Sequence, residues 1–248
     1  MKNHLINAIK GVRAIATFWI VPFSARHLAN IRKFEFDKAL PYFNGLKSEN
    51  IIEVGGGAGW QNEFFRHEGY IIDSYDVVSS SYSKYQKNNV KLYDGSTLPV
   101  LNCTIKAIFS SNTLEHIESI QENLKDHHRV LKADGICLHI LPTSVWRVWT
   151  SITDLIKKFH FSPPHGEFSS NIYKEIFDFS EKAWKKRFEE GGFTVVSIEE
   201  GSLFYTGNSI FGARLSIKTR QWLSRVLGSS CKYYLIKKTS PIKYVIHK

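Results

Sequence analysis

A buried strand that runs directly into a glycine-rich turn is the feature that most constrains this chain. Residues 51–60 read Ile-Ile-Glu-Val-Gly-Gly-Gly-Ala-Gly-Trp, an apolar run followed by closely spaced glycines. Glycine has no Cβ, so the backbone can bend sharply there and a ligand can lie against it. The pattern predicts a strand, a turn and a helix, with a ligand bound at the turn.

An acidic residue follows at the distance expected for the next parallel strand. Tyr75-Asp76 comes 17 residues after Gly59, which leaves room for one helix and one strand. A carboxylate at that strand end can accept hydrogen bonds from a ribose held over the turn. Glu53, the glycines and Asp76 together predict a nucleotide-type site.

Alternating apolar segments extend this unit into a parallel sheet. Short apolar runs predict strands near 50–54, 70–76, 89–93, 105–111 and 135–141, with helices between them, for example at 59–68 and 117–131. Strands that alternate with helices are typical of a βαβ fold. A helix that begins after Ser180, strands at 193–198 and 232–237, and an amphipathic helical stretch at about 209–227 are also predicted.

Five landmarks between residues 51 and 142 resemble those of class I S-adenosylmethionine-dependent methyltransferases. They are Glu53–Gly59, Tyr75-Asp76, Leu92–Gly95, Ala107–His116 and Arg129–Gly135. Dinucleotide enzymes more often carry Gly-x-Gly-x-x-Gly, with the third glycine one position later. The resemblance implies an α/β fold, a Rossmann-like three-layer sandwich with a mostly parallel seven-stranded sheet and an antiparallel last strand. It also implies S-adenosyl-L-methionine as the cofactor.

The resemblance assigns the cofactor contacts residue by residue. Gly55, Gly57 and Gly59 would contact the methionine and ribose parts through their backbone, and Asp76 would accept hydrogen bonds from the ribose diol. Asp94 would take the adenine amino group. For both aspartates the alternative is a structural acid that caps a helix or a turn.

The remaining candidates concern orientation and proton transfer. Glu53 would orient the turn, and Asn112 would meet the ligand at the end of the fourth strand, unless it only forms a turn. His116 follows that strand, and an imidazole titrates near neutral pH, so it is a candidate base; a structural histidine is the alternative. His165 and Glu167 are further candidates, because they lie in the segment at about 143–178 that we interpret as a lid over the site. We expect no metal site, and we place His127 and His128 on the exposed face of a helix.

The length and composition of the chain predict its domain organisation and the compartment in which it works. A chain of 248 residues can bury one sizeable core. We expect a basic helical region at 1–44 and a methyltransferase domain at 45–248, with an irregular, aromatic lid insertion at about 143–178 and a basic helical insertion at about 209–229. The aromatic side chains of the lid either pack a small core or line an acceptor pocket. Three separated cysteines without a Cys-x-x-Cys pair fit a reducing cytoplasm.

The charge is uneven along the chain. The first 40 residues carry a net charge of +5 and residues 211–248 carry +9, whereas the residues between carry −4. Apolar residues at 12–20 and 215–226 alternate with basic ones, a pattern of helices that lie on anionic membranes. The alternative is that these apolar faces cover the sheet. The first of these two interpretations predicts peripheral contact of the protein with the inner face of a membrane, and the second does not.

Three functions are compared. The first is O-methylation of a hydroxylated small molecule or a glycan intermediate, which would be lipid-linked if the protein binds membranes. The second is a catalytically degenerate cofactor-binding module that acts through membrane or protein association. The third is nucleic-acid methylation, which the positive charge favours. However, Ser111-Asn112-Thr113-Leu114 stands where an Asn-Pro-Pro-aromatic element would mark amino methylation of bases, so nucleic acid ranks below small molecules.

Overall fold

The computed structural model describes residues 25–80, 89–158, 160–161, 163–166, 169–207 and 212–239. The apolar and basic stretch at 12–20 lies outside these residues, and so does Glu167.

Seven strands form a single sheet within the described ranges. They are β1 (Ile51–Val54), β2 (Ile72–Val77), β3 (Val90–Tyr93), β4 (Ile105–Ser111), β5 (Leu131–Pro142), β6 (Phe193–Glu200) and β7 (Cys231–Lys238). Their order is β3-β2-β1-β4-β5-β7-β6. The first five strands pair in parallel, and β7 runs antiparallel between β5 and β6. The predicted mostly parallel seven-stranded sheet is confirmed.

Helices pack on both faces of the sheet, and two of them come next in the chain after the carboxyl end of β5. They are α1 (Ala25–Ala39), α2 (Trp60–His67), α3 (Ile120–Val130), α4 (Ser144–Lys158), α5 (Ile172–Asp178), α6 (Glu181–Glu190) and α7 (Ile217–Leu227). Short 3₁₀ helices occupy Leu40–Phe43, Leu114–His116 and Gly212–Arg214. The predicted cap is present, since the Ser180 hydroxyl accepts a hydrogen bond from the Ala183 amide at 3.3 Å.

Two apolar clusters lie on opposite faces of the sheet. Adjacent β1 residues point to opposite sides, so Ile51 packs with α1 and α2 while Ile52 packs with α3 and α6. On the first side, Phe65 meets Phe36 edge-to-face with ring centroids 4.8 Å apart. On the other side, Trp184 and Phe188 are fully buried. These layers form the three-layer sandwich that the resemblance implied.

The lid segment differs from its prediction as an irregular insertion. The described part of residues 143–178 contains the helices α4 and α5. The Thr143 hydroxyl caps the first turn of α4 by accepting a hydrogen bond from the Trp146 amide at 3.1 Å. Trp146, Thr150 and Thr153 are buried three or four positions apart, which is helical spacing. The aromatic content of the segment and the prolines at 163–164 favoured an irregular structure in the prediction, and this helical spacing was not recognised.

The aromatic side chains of this segment do not share one environment. Trp146 is buried in a small core with Phe179 and Leu203, as the packing alternative predicts. In contrast, Tyr173 and Phe177 on α5 are 76% and 73% exposed, and they belong to neither core nor a closed pocket. Phe159 and Phe168 lie outside the described residues.

The prediction that His127 lies on an exposed helix face is wrong. His127 is fully buried, and its ring stacks on His139 with centroids 5.7 Å apart. Ile120, Leu124 and His127 are spaced by four and three residues, so they share the inward face of α3. Burial lowers the pKa of His127 to about 4, so the imidazole is neutral at pH 7.

The aromatic packing under α2 yields a stability prediction. Phe65 is fully buried among rings of both α1 and β4, so Phe65→Ala should leave a cavity. We expect a loss of about 3–5 kcal/mol in the free energy of unfolding, measured by urea denaturation. Phe177→Ala is the matched control, and because its ring is exposed we expect a change within about 0.5 kcal/mol. Equal effects of the two changes would contradict the packing described here.

Candidate active site

The glycine turn follows β1 and bends back over β2. The amides of Gly55 and Gly56 both donate to the carbonyl of Tyr75, at 2.8 and 3.0 Å. Gly55, Gly57 and Gly59 all have positive φ angles, of 80°, 53° and 83°, a region that side chains with a Cβ rarely enter. The turn therefore requires glycine at each of the three predicted positions.

Asp76 lies directly against this turn. Its Oδ2 accepts a hydrogen bond from the Gly57 amide at 2.8 Å, and its Oδ1 accepts one from the Val77 amide at the same distance. The residue is 7% exposed. The structure thus brings the predicted ribose acid to the glycine turn, as a ribose diol bridging the two would require.

Glu53 lies beneath the turn in a buried polar network. Its Oε2 accepts a hydrogen bond from the Ser74 hydroxyl at 2.5 Å, and Ser74 in turn accepts from Asn62 at 2.7 Å. Burial, with a smaller contribution from the charge of Asp76, raises the pKa of Glu53 to about 7. Its Oε1 is buried without a hydrogen-bond partner among the described residues. This spare acceptor fits a cofactor amino group.

Asp94 forms its own turn. Its Oδ1 accepts hydrogen bonds from the amides of Ser96 and Thr97 at 2.8 and 3.0 Å. These bonds to the charged form lower the pKa of Asp94, which is fully exposed. The structure therefore contains the turn acid named as the alternative, and the contact with adenine stays a prediction.

The end of β4 meets the glycine turn. A Cβ added to Gly55 would lie 2.1 Å from the Thr113 hydroxyl oxygen, so the backbone of the turn contacts this side chain directly. Asn112 precedes it with a left-handed φ of 52°, and its amide group donates to the Ser111 hydroxyl at 3.0 Å. Asn112 thus adopts a turn conformation. It immediately precedes Thr113, the residue that contacts the glycine turn at Gly55.

Beyond Thr113, two predicted bases come together beside a buried acid. The rings of His116 and His165 are edge-to-face with centroids 4.4 Å apart, and both residues are exposed. Glu115 is completely buried, and neither of its carboxyl oxygens has a hydrogen-bond partner among the described residues. Desolvation raises its pKa to about 8. One ligand atom from each of these residues lies within 4.8 Å of the other two.

A buried ion pair fixes the loop that carries His165. The Oε1 of Glu175 accepts hydrogen bonds from the amides of His165 and Gly166, both at 2.5 Å. Its Oε2 pairs with the Arg147 guanidinium at 2.6 Å, and both side chains are almost fully buried. Desolvation of the ring, which packs against His116 and Trp146, followed by the positive charges of His116, Arg147 and Arg32, lowers the pKa of His165, although part of the residue remains exposed. The imidazole is therefore neutral at pH 7.

Sequence reasoning missed Glu115, Arg147 and Glu175. Glu115 stands directly before His116 in the sequence, so that pair of residues was the one available signal. Arg147 and Glu175 are 28 positions apart in a segment expected to be irregular, and no local pattern connects them.

The chain belongs to the methyltransferase domain family. The profile of that family, described as "Methyltransferase domain", matches residues 25–198, which include the glycine turn, Asp76 and the cluster after β4. The chain therefore carries a methyltransferase domain. The spare acceptor of Glu53, the glycine turn and Asp76 offer the hydrogen-bonding groups that S-adenosyl-L-methionine, the cofactor implied by the sequence resemblance, would need.

One curated relative is the malonyl-[acyl-carrier protein] O-methyltransferase of Hamiltonella defensa. It is 23% identical over 141 residues, which cover 55% of this chain and 55% of the relative. The chain thus spans about half the length of that relative.

Solved structures share the fold. A SAM-dependent methyltransferase from Archaeoglobus fulgidus aligns with a TM-score of 0.56 at 19% identity, over 85% of this chain and 94% of the other. Geranyl diphosphate C-methyltransferase from Streptomyces coelicolor, solved with S-adenosyl-L-homocysteine, aligns with a TM-score of 0.55 at 10% identity, over 84% and 79%.

The position of Asp76 against the turn generates a binding prediction. Asp76→Ala removes a charged acceptor for the ribose, and such hydrogen bonds contribute about 1.5–3 kcal/mol each. Calorimetric titration of S-adenosyl-L-methionine should therefore show at least a tenfold weaker Kd. Asp73→Ala is the control, since it changes the same strand but its carboxylate pairs with Lys91 at the surface. Unchanged affinity in Asp76→Ala, or binding of NAD instead of S-adenosyl-L-methionine, would contradict the assignment.

Proposed function

We propose that this methyltransferase transfers a methyl group to an oxygen of a hydroxylated small molecule or glycan intermediate. The acceptor oxygen would lie beside Glu115, His116 and His165. The observation that carries the proposal is the contact of the two imidazoles at 4.4 Å, on the segment that Thr113 joins to the glycine turn. The relative from Hamiltonella defensa is named as an O-methyltransferase, which supports oxygen as the acceptor atom.

In this proposal the two halves of the site divide the work. Gly55, Gly57, Gly59 and Asp76 hold the cofactor, with Glu53 under the turn. Asp94 and Asn112 complete that half. S-adenosyl-L-methionine supplies an already activated methyl group, so the protein has to align the acceptor and exclude water.

On the acceptor side, His116 would take the hydroxyl proton. It is exposed, and it ends the short 3₁₀ helix Leu114–His116 that comes after β4. The neutral His165 would accept a hydrogen bond from the acceptor and hold it in place. The segment 143–178 would act as the acceptor-binding wall, because Trp146 packs against the His165 ring at 4.8 Å. Glu167 remains a candidate that lies outside the described residues.

The proposed base generates a kinetic prediction. General base catalysis contributes about 10²–10⁴-fold to a rate, so His116→Gln should lower kcat by about 10²-fold or more and leave the Kd of S-adenosyl-L-methionine unchanged. The measurement is transfer of labelled methyl to a panel of phenols and glycosides, with the product's methyl position determined by NMR.

His67→Gln is the matched control, because His67 is an exposed histidine on α2. Its kcat should equal that of the wild type. A malonyl thioester, the acceptor class in the relative's name, belongs in the same panel. Methylation of that carboxylate alone, or of a nitrogen or carbon, would overturn the hydroxyl acceptor. An unchanged kcat in His116→Gln would remove this residue as the base.

We also propose that the protein works against an anionic membrane surface. Trp222 and Val226 on α7 are 59% and 68% exposed, so this part of the helix does not cover the sheet. Lys218 and Arg225 are exposed on the same helix. Val148, Ile152 and Leu155 form an exposed apolar stripe on α4, and the Trp149 indole donates to the Leu227 carbonyl at 3.1 Å, which joins the two helices.

One expected contributor to this surface is excluded. Arg220 is one of the basic residues in the predicted amphipathic stretch at 215–226, but it is 1% exposed and donates hydrogen bonds to the carbonyls of Phe204 and Gly212. It secures α7 instead of facing a membrane. Within the ranges that the structure describes, no helix is both long and apolar enough to cross a bilayer.

Vesicle co-sedimentation tests the membrane surface. The wild type should bind anionic vesicles at low salt, bind neutral vesicles weakly, and dissociate as salt rises. Trp222→Ser with Val226→Ser should reduce partitioning at least tenfold, because each buried side chain of this size contributes about 1.5–3 kcal/mol. Leu101→Ser, which alters an exposed apolar residue in the loop before β4, is the control. Absence of binding to anionic vesicles at low salt would leave a soluble acceptor.

A further inference from the structure

Glu115 is a buried acid without hydrogen-bond donors to its carboxyl group from the described side chains. It is 0% exposed, and both carboxyl oxygens lack a hydrogen-bond partner among the described residues. A buried polar group left unsatisfied costs about 1–3 kcal/mol, and more if it is charged. The charge of Arg32 opposes the effect of burial on the pKa of Glu115, but no described side chain donates a hydrogen bond to either carboxyl oxygen.

The neighbours of Glu115 identify the chemistry of that partner. Its carboxylate and the rings of His116 and His165 each offer one ligand atom, and these three atoms lie within 4.8 Å of one another. Two imidazoles and one carboxylate form a ligand set of catalytic zinc sites, in which a fourth position stays open for water or substrate. Ligands of a tetrahedral zinc ion, each about 2.0–2.1 Å from it, lie roughly 3.3 Å apart. For one ion to bind all three atoms, side-chain rotation would have to bring them closer together than they lie here.

The surroundings support a built site instead of a chance meeting. Both histidines are exposed, so an ion has a path from solvent. The His165 loop is held by the hydrogen bonds of its backbone to the buried Glu175. A Cβ on Gly166 would lie 2.8 Å from the Glu115 carbonyl oxygen, so this loop packs against the backbone of Glu115 itself.

From this arrangement we infer that Glu115, His116 and His165 bind one Zn²⁺ ion, with an open coordination position toward the acceptor. This inference departs from the expectation that the chain has no metal site, an expectation that metal titration would test. Binding of the ion is independent of the proposed acceptor. Only its use rests on the proposed function: a bound cation polarises an oxygen and lowers its pKa, so with the ion bound His116 would act as a ligand instead of as the base, and the acceptor's proton would pass to solvent water.

Metal binding by the full chain tests the inference directly. Protein dialysed against a chelator is titrated with Zn²⁺ by calorimetry, and with Co²⁺ while its visible d–d absorption is recorded. We expect one ion per chain and tetrahedral Co²⁺ bands. His165→Ala alters an exposed loop residue and should weaken the Kd for Zn²⁺ at least tenfold. Glu115→Gln, which keeps the side-chain shape, should do the same.

Two controls make the outcome specific. His67→Ala removes an exposed histidine on α2 that is distant in sequence from the three proposed ligands, and this variant should bind Zn²⁺ like the wild type. The affinity of each variant for S-adenosyl-L-methionine shows whether it is folded. No Zn²⁺ binding by the wild type, or equal binding by His165→Ala, would overturn the site. Methyl transfer that persists in excess chelator and still depends on His116 would leave the proposed function standing without the metal.

Discussion

The close contact between Gly55 and Thr113 connects the two halves of the site. A side chain at Gly55 would overlap the Thr113 hydroxyl, so the turn after β1 and the end of β4 approach each other only because residue 55 is glycine. β1 and β4 are neighbours in the sheet, paired from Ile51 with Ala107 to Glu53 with Phe109. The sheet thus brings the two segments side by side, and the glycine lets them touch. The position of the cofactor turn relative to the cluster after β4 follows from this contact.

The sheet and the cofactor half were predictable because their signals are local. Alternation of apolar runs and helices sets the strand positions, and the turn needs glycines at fixed spacing. Asp76 follows from the length of one helix and one strand. The structure confirms the sheet and brings Asp76 to Gly57. The roles of Asp94 and Asn112 stay predictions, because both side chains also satisfy their own turns.

The acceptor half was less predictable because it depends on contacts between distant positions. Glu175 and Arg147 form a buried pair at 2.6 Å, and the same carboxylate fixes the His165 loop. Buried ion pairs have no periodic sequence signature, since each partner alone resembles a surface charge. The same reason explains why Arg220 was expected at the surface. Segment 143–178 was expected to be irregular since its aromatic content concealed the helical spacing of its buried residues.

The buried Glu175–Arg147 pair also explains how an exposed loop can have a defined position. A carboxylate removed from water requires donors, and here two backbone amides and one guanidinium provide them. Releasing the loop would expose those amides to solvent but would leave Glu175 with fewer partners in the protein interior, a costly exchange. The loop is therefore held from its buried side, while His165 remains open to solvent on the other. Glu115 is buried beside it without comparable donors, and this difference between two neighbouring acids is the physical basis for assigning Glu175 to positioning and Glu115 to ligand binding.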